Sequence, residues 1–193
     1  MNLQTRLNYK VCNVCTLIFM QSRPMQNVCG PVCGGKVGKL ARKAEREKTK
    51  ERKQADKPIG YFRAQAQEVF NEFIRARDAN LPCVSCQTTN PPMTRGGQWD
   101  AGHFLSRGAY PELAFNEDNC HKQCKSCNAG SGKFSHKART VSQKYELEIV
   151  TRIGADRFAI LRGPHELPHL KKEDYIAIRD DYRAKLKEVR AEI

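Results

Sequence analysis

No apolar run of about 18 residues occurs in this 193-residue chain, so no segment reads as a membrane span. Aromatic residues are only 8% of it, with a single tryptophan, Trp99, which reads as core packing beside a strand. That scarcity, with 28% charged residues, excludes a large aromatic core and puts much of the chain at the surface. The N-terminus lacks the apolar core of a secretion signal, because the stretch Cys15 to Met20 is short and starts inside a Cys-x2-Cys pair. Without such a signal, nine cysteines read as metal ligands rather than disulfides, and the expected compartment is a reducing cytoplasm. Acidic residues are also few: 21 against 34 Lys and Arg, for a net charge of +13. Such a balance, with a pI near 9.5, is the electrostatic footprint of a nucleic-acid binder, although a basic surface can also serve solubility alone.

What is present is concentrated in residues 83 to 130. Cys83-Val84-Ser85-Cys86 and Cys124-Lys125-Ser126-Cys127 are two Cys-x2-Cys pairs that can supply four thiolates to one closed tetrahedral zinc site. Between them runs Trp99-Asp100-Ala101-Gly102-His103-Phe104, and Asn128 follows the last cysteine. A second set, Cys12, Cys15, Cys29 and Cys33, has the spacing C-x2-C-x13-C-x3-C and predicts a small zinc ribbon. Gly30, Gly34 and Gly35 would supply its tight turns. A segment this short has too little apolar surface to fold without its metal.

The rest of the chain is read around these sites. Residues 36–57 carry ten basic residues (Lys36, Lys39, Arg42, Lys43, Arg46, Lys48, Lys50, Arg52, Lys53, Lys57) against Glu45, Glu47, Glu51 and Asp56. They predict a solvated helix or a linker that becomes helical on a partner, ended by Pro58; a charged spacer and a DNA-contacting arm are equal readings. Phe62, Ala66, Val69, Phe70, Phe73 and Ile74 lie on one face of a helix over 59–79. Residues 87–98 are turn-rich, Gln98 to Leu105 reads as a strand, and a second short strand is expected at Leu113-Ala114-Phe115. A helix should start near Cys124 and break at Gly130-Ser131-Gly132. Further helices are expected over 140–153, stopped by Gly154, over 156–161, and over 171–193 with Tyr175, Ile178, Tyr182, Leu186, Val189 and Ile193 on one stripe. The resulting organisation is a zinc ribbon over 1–35, a basic linker over 36–57 and a helical domain over 58–193 whose core spans 83–135.

Cutting a phosphodiester needs a water, a base to take its proton, and a cation at the scissile phosphate. His103 suits the base, because an imidazole can be neutral at pH 7. Asp100 and Asn128 offer hard oxygen ligands to Mg²⁺, with Mn²⁺ as the substitute. Asn119 would brace the loop that orients the His103 ring. His121 is either an alternative base or phosphate contact, or a structural residue. Cys120 reads as a small buried side chain; His136, with Lys133, Lys137 and Arg139, as a solvated face; His165 and His169, beside Pro164 and Pro168, as loop residues.

Cys-x2-Cys, strand His, Asn, Cys-x2-Cys-Asn resembles endonuclease VII and the HNH-type ββα-metal nucleases. "LPCVSC", "WDAGHF", "FNEDNCHKQCKSCN", the N-terminal knuckles, the basic run and the C-terminal helix together resemble the NinG (Rap) recombination proteins of lambdoid phages over nearly the whole chain. The resemblance implies an α+β fold with a zinc-stabilised ββα-metal core packed against several helices. It also implies a Mg²⁺-dependent endonuclease that cuts branched DNA such as Holliday junctions and D-loops in a host bacterial cytoplasm. Phage or host recombination proteins are further implied partners, and symmetric cutting of a four-way junction suggests a homodimer. In one respect the chain departs from the commoner HNH pattern: the position before His103 is Gly102, and the nearest acid is Asp100. Residues 100 and 103 point to opposite faces of a regular strand, so either a bulge brings Asp100 round or His103 is itself a ligand. The alternatives are a non-catalytic zinc protein that binds DNA and an HNH nuclease without junction specificity.

Overall fold

A computed structural model describes residues 8–130 and 138–192 as a mixed α+β protein. The chain divides into two compact units, Met1–Lys57 and Pro58–Ile193. No helix among the described residues is long and apolar enough to cross a membrane.

The first unit is a β-hairpin followed by one long helix. Strands β1 (Tyr9–Val11) and β2 (Ile18–Met20) pair antiparallel, and the Cys12–Cys15 knuckle lies in the turn between them. Helix α1 spans Pro31–Ala55, starting with proline in its first turn, where a missing N–H costs nothing. Ala, Glu, Lys, Arg and Gln carry it onward, and Arg52 and Lys53 face the negative end of its dipole. The boundary expected at residue 35 thus falls inside a helix that already holds Cys33. Gly34 and Gly35 are helical rather than turn residues, and the left-handed positions belong to Thr16 and Met25.

In the second unit, α2 (Ile59–Arg77) buries Phe62, Ala66, Phe70, Phe73 and Ile74 along its expected face. Strand β3 (Trp99–His103) pairs antiparallel with β4 (Cys120–Cys124), placing Trp99 opposite Cys124 and His103 opposite Cys120 in an unbroken register. Helices α3 (Lys125–Gly130), α4 (Ala138–Ile153), α5 (Ala155–Arg162) and α6 (Lys172–Glu192) follow. Gly154 separates α4 from α5 at φ 83°, a conformation that a side chain would strain. Ser131, Gly132, Lys133, His136, Lys137 and Ile193, about which the sequence made expectations, lie outside the described residues, as does the expected core end at 135.

Two corrections concern the middle of this unit. The strand expected at 113–115 is instead a 3-10 turn, Pro111–Leu113, that buries Leu113 and Ala114. Pro111 cannot donate to a ladder, and the Asn116 side chain accepts the Asp118 and Asn119 N–H groups to close the next turn. The true partner strand is Cys-His-Lys-Gln-Cys, all five residues buried. Both of its faces are covered, so it shows no alternation, and its polar composition hid it.

One core packs Phe70, Phe73 and Ile74 of α2 with Tyr182 and Leu186 of α6, and Cys120 lies among them. The other joins Val84 and Leu113 to Tyr145 and Ile149 of α4 and Leu161 of α5. Burying each large apolar side chain contributes about 1.5–3 kcal/mol, so these two clusters hold the β3–β4 hairpin in place.

Candidate functional site

Two groups of four cysteines could hold zinc: Cys12, Cys15, Cys29, Cys33 and Cys83, Cys86, Cys124, Cys127. In each group the ligand sulfurs lie within 4.8 Å of one another. Neighbouring pairs stand at 3.5 Å (Cys15–Cys29), 3.6 Å (Cys29–Cys33) and 3.7 Å (Cys86–Cys124). Four thiolates about 2.3 Å from a tetrahedral zinc stand about 3.8 Å apart, whereas a disulfide needs about 2.0 Å. All nine cysteines are free.

The two groups repeat one backbone design. Cys12 N–H donates to the Leu17 carbonyl and Cys83 N–H to the Thr88 carbonyl, both at 2.9 Å. Thr16 N–H donates to Cys12 O and Gln87 N–H to Cys83 O, both at 3.0 Å. Thr16 and Gln87 both adopt positive φ, near 60°. The first sulfur of each group accepts a backbone N–H from the third cysteine, at 3.4 Å for Cys12 and 3.3 Å for Cys83. The fourth cysteine sits in the first turn of a helix, Cys33 on α1 and Cys127 on α3. N–H groups aimed at sulfur stabilise thiolate, the form that binds metal. Cys120 takes no part: its thiol is fully buried, and burial pushes its pKa well above the usual range.

Beside the second cysteine group, Ala101, His103, Ser106, Arg107, Gly108 and Asn128 line a cleft of about 320 Å³. Asp100 accepts a hydrogen bond from Asn128 Nδ2 at 2.9 Å and another from Lys125 Nζ at 2.8 Å. The register through Asp100 and His103 carries no bulge. Asn128 makes the connection instead, since it lines the cleft with His103 while bonding Asp100. The residue before His103 is glycine because its Cβ would come within 3.0 Å of the Gln123 side chain, itself buried against Ser85.

His103 is held from several sides. Its Nε2 lies 3.0 Å from the Ala114 carbonyl oxygen, which can only accept, so Nε2 carries the proton. Nδ1 lies 3.6 Å from Cys120 Sγ, and the Phe70 ring packs 6.1 Å away. Burial lowers the His103 pKa to about 4; the Ala114 carbonyl opposes the shift and the Arg107 charge adds to it. The imidazole is therefore neutral at pH 7.

Asn119 is fully buried and clasps the loop that carries this carbonyl. Its Oδ1 accepts the Leu105 N–H at 2.8 Å, and its Nδ2 donates to the Leu105 and Leu113 carbonyls at 2.9 and 3.2 Å. Leu113 immediately precedes Ala114, so the clasp bears directly on the acceptor for His103.

His121 is not brought to the cleft. It stands opposite Gly102 and is buried. Its Nε2 donates to the Asp118 carbonyl at 3.1 Å, and its Nδ1 lies 3.1 Å from Arg77 Nη2 and 3.6 Å from Asp78 Oδ2. Asp78 is the hub of this network, accepting from Arg77 Nε and Nη2 and from the Lys122 N–H, with Arg152 Nη1 3.9 Å away. Burial pushes the Asp78 carboxyl up, but the adjacent His121 ring, the hydrogen bonds and charge of Arg77 and the Lys122 N–H outweigh it and hold the pKa well below the usual carboxylate range. Sequence reasoning missed Asp78, Ala114, Arg107 and Lys125. Only the adjacency of Lys125 to Cys124 and of Arg107 to the His103 strand hinted at the last two.

Trp99 is half-buried, with Lys122 Nζ 4.4 Å from its ring centre. His165 Nε2 donates to Leu161 O at 2.8 Å, a structural contact that ties its loop to α5.

No solved structure matches the chain at a significant level. The family model described as "Bacteriophage Lambda NinG protein" matches residues 4–192. Protein ninG of Escherichia phage lambda is 37% identical over 181 residues, covering 84% of this chain and 83% of its own. Protein ninG of Salmonella phage P22 is 36% identical with the same coverage, and that of Escherichia phage 933W is 34% identical over 198 residues, covering 93% and 92%. With the match running through both cysteine groups, the cleft and the final helix, the chain belongs to the bacteriophage lambda NinG family.

Proposed function

We propose that this chain is a metal-dependent DNA endonuclease with an HNH-like ββα-metal core, acting on branched recombination intermediates such as Holliday junctions and D-loops. The observation that carries it is the convergence of His103, Asn128 and Asp100 on a strand–strand–helix unit whose helix is pinned by four thiolates. A DNA-binding module held together by zinc has no need of this grouping. The preference for branches rests on the resemblance to the recombination proteins alone.

The Asp100 carboxylate and the Asn128 amide oxygen fit Mg²⁺ or Mn²⁺, which take few protein ligands and keep several waters. Lys125 already supplies positive charge to this carboxylate at 2.8 Å. The cation would supply charge stabilisation at the scissile phosphate. The residues would do the rest. His103, neutral at pH 7 and lining the cleft, would take the water proton. Arg107, at the lip of the cleft, would bind a phosphate oxygen and align the strand. Asn119 would fix the loop so that the ring keeps its aim. His121 would act in the fold rather than in the chemistry. Two copies of the chain would deliver the paired cuts of a symmetric junction.

The test is cleavage of a labelled four-way junction and a linear duplex of the same sequence, with Mg²⁺. The proposal expects cuts near the branch point and little cutting of the duplex. Equal cutting of both would make it a nuclease without junction specificity. Binding without cutting, under Mg²⁺ and Mn²⁺ alike, would make it a zinc-dependent accessory protein.

A further inference from the structure

On α1, Lys36, Lys39, Lys43, Arg46, Lys50 and Lys53 recur at alternating intervals of three and four residues. At 3.6 residues per turn they form one stripe about 100° wide. No acid falls within it: Glu47 and Glu51 border one edge, Arg42 borders the other, and Glu45 lies on the far side. All six are exposed, and among the described residues none is in an ion pair. Like charges at these spacings repel and destabilise the helix, a cost that interleaving the three glutamates would have relieved. From Lys36 to Lys53 the helix advances about 25 Å. The helix start is fixed, because Cys33 of the first cysteine group sits in its first turn.

A solvated face would mix signs, and a membrane-surface helix would carry Trp, Phe or Leu opposite its charges, where α1 has Ala41, Ala44, Glu45, Lys48 and Arg52. An unbroken line of cations matches a polymer with evenly repeated negative charge, and duplex DNA carries about one charge per 1.7 Å of axis. We propose that the Lys36–Lys53 stripe is a second DNA contact, sequence-independent and separate from the cleft, that lies along the phosphates of a duplex arm. The choice of partner rests on the nuclease reading; the stripe itself does not.

The experiment uses the full chain without added Mg²⁺, titrated by fluorescence anisotropy onto a duplex of arbitrary sequence at several salt concentrations. Two double variants remove two charges each from the same helix: Arg46→Gln with Lys50→Gln inside the stripe, and Lys48→Gln with Arg52→Gln outside it. Circular dichroism checks that α1 persists in both. Phosphate contact predicts that the slope of log K against log salt falls by about 1.8 in the first variant, at about 0.9 per lost contact, and holds in the second. Equal loss in both would reduce the effect to net charge and overturn the stripe, as would unchanged slopes in both. If the stripe variant loses binding to polyglutamate but keeps it to DNA, the partner is an acidic protein and the proposal fails. A parent chain that binds no DNA sinks the nuclease reading as well, whereas a parent that cuts junctions beside a stripe variant that binds equally well sinks only the stripe.

Discussion

Asn128 Nδ2 donates to Asp100 Oδ2 across 2.9 Å, joining α3, the helix that carries Cys127, to β3. Strand alternation alone separates Asp100 from His103. Because Asn128 also lines the cleft beside His103, the helix closes a gap that the strand leaves open.

From this follows the first prediction. His103→Ala should leave both zincs and junction binding intact, since affinity comes mostly from phosphate contacts, while cleavage falls by about 10²–10⁴-fold. Asn128→Ala should bind and fail to cut, with partial rescue at higher Mg²⁺. Single-turnover cleavage beside gel-shift binding measures both, and full activity in both variants would move the site elsewhere.

Metal removal gives the second. Metal analysis should find two zincs per chain. Cys33→Ser should cost one equivalent and leave the thermal transition of residues 58–193 in place. Cys124→Ser should cost one and abolish that transition, because structural zinc contributes on the order of 10–16 kcal/mol in small zinc peptides. Identical melting curves for the two variants would contradict separate sites in separate units.

The third concerns the loop clasp. Asn119→Ala strands the N–H and the carbonyl of half-buried Leu105, at about 1–3 kcal/mol for each. Cleavage should fall at temperatures where the fold is intact, with DNA affinity unchanged, because the Ala114 carbonyl loses its support. Activity that tracks only the folded fraction would show that Asn119 is a fold residue and nothing more.

The fourth is pH dependence. The folded Asp78 pKa lies below its unfolded value, so its stabilisation is present above about pH 4 and is lost as pH falls toward the folded value. His103 acts in a higher window: its folded pKa of about 4 is below the unfolded value near 6.5, so the folded state binds fewer protons and stability declines as pH drops between the two. Denaturant midpoints from pH 7 to pH 3 should therefore fall in two stages. His103→Gln should flatten the upper stage and Asp78→Asn the lower one. Asp78→Ala should cost about 3–5 kcal/mol at pH 7 by leaving buried arginine charge uncompensated. Parallel curves for all variants would refute both assignments.

The fifth tests Arg107. Arg107→Ala should raise the His103 pKa slightly by removing a nearby charge and should weaken cleavage more than binding. Arg107→Lys should restore charge but not the bidentate grip, recovering only part of the rate. A rate equal to that of the parent in Arg107→Ala would remove it from the site.

The elements that depend on local chemistry were legible in the chain. Cysteine spacing set both metal groups, because a Cys-x2-Cys knuckle is a local turn. Periodicity set α2 and the stripe of α6, because one helix face must be apolar to be buried. The place of Asn128, directly after Cys127, was equally legible, since a ligand fixed by zinc fixes its neighbour. Tertiary structure decided the rest. β4 is covered on both faces, so Cys120 to Cys124 carries no alternating pattern to read. The Ala114 carbonyl that aims His103 is backbone, and no residue type announces it. His121 and Asp78 could be assigned only once α2, β4 and α4 had folded together, because burial and the arginines around them, not their identity, set what they do.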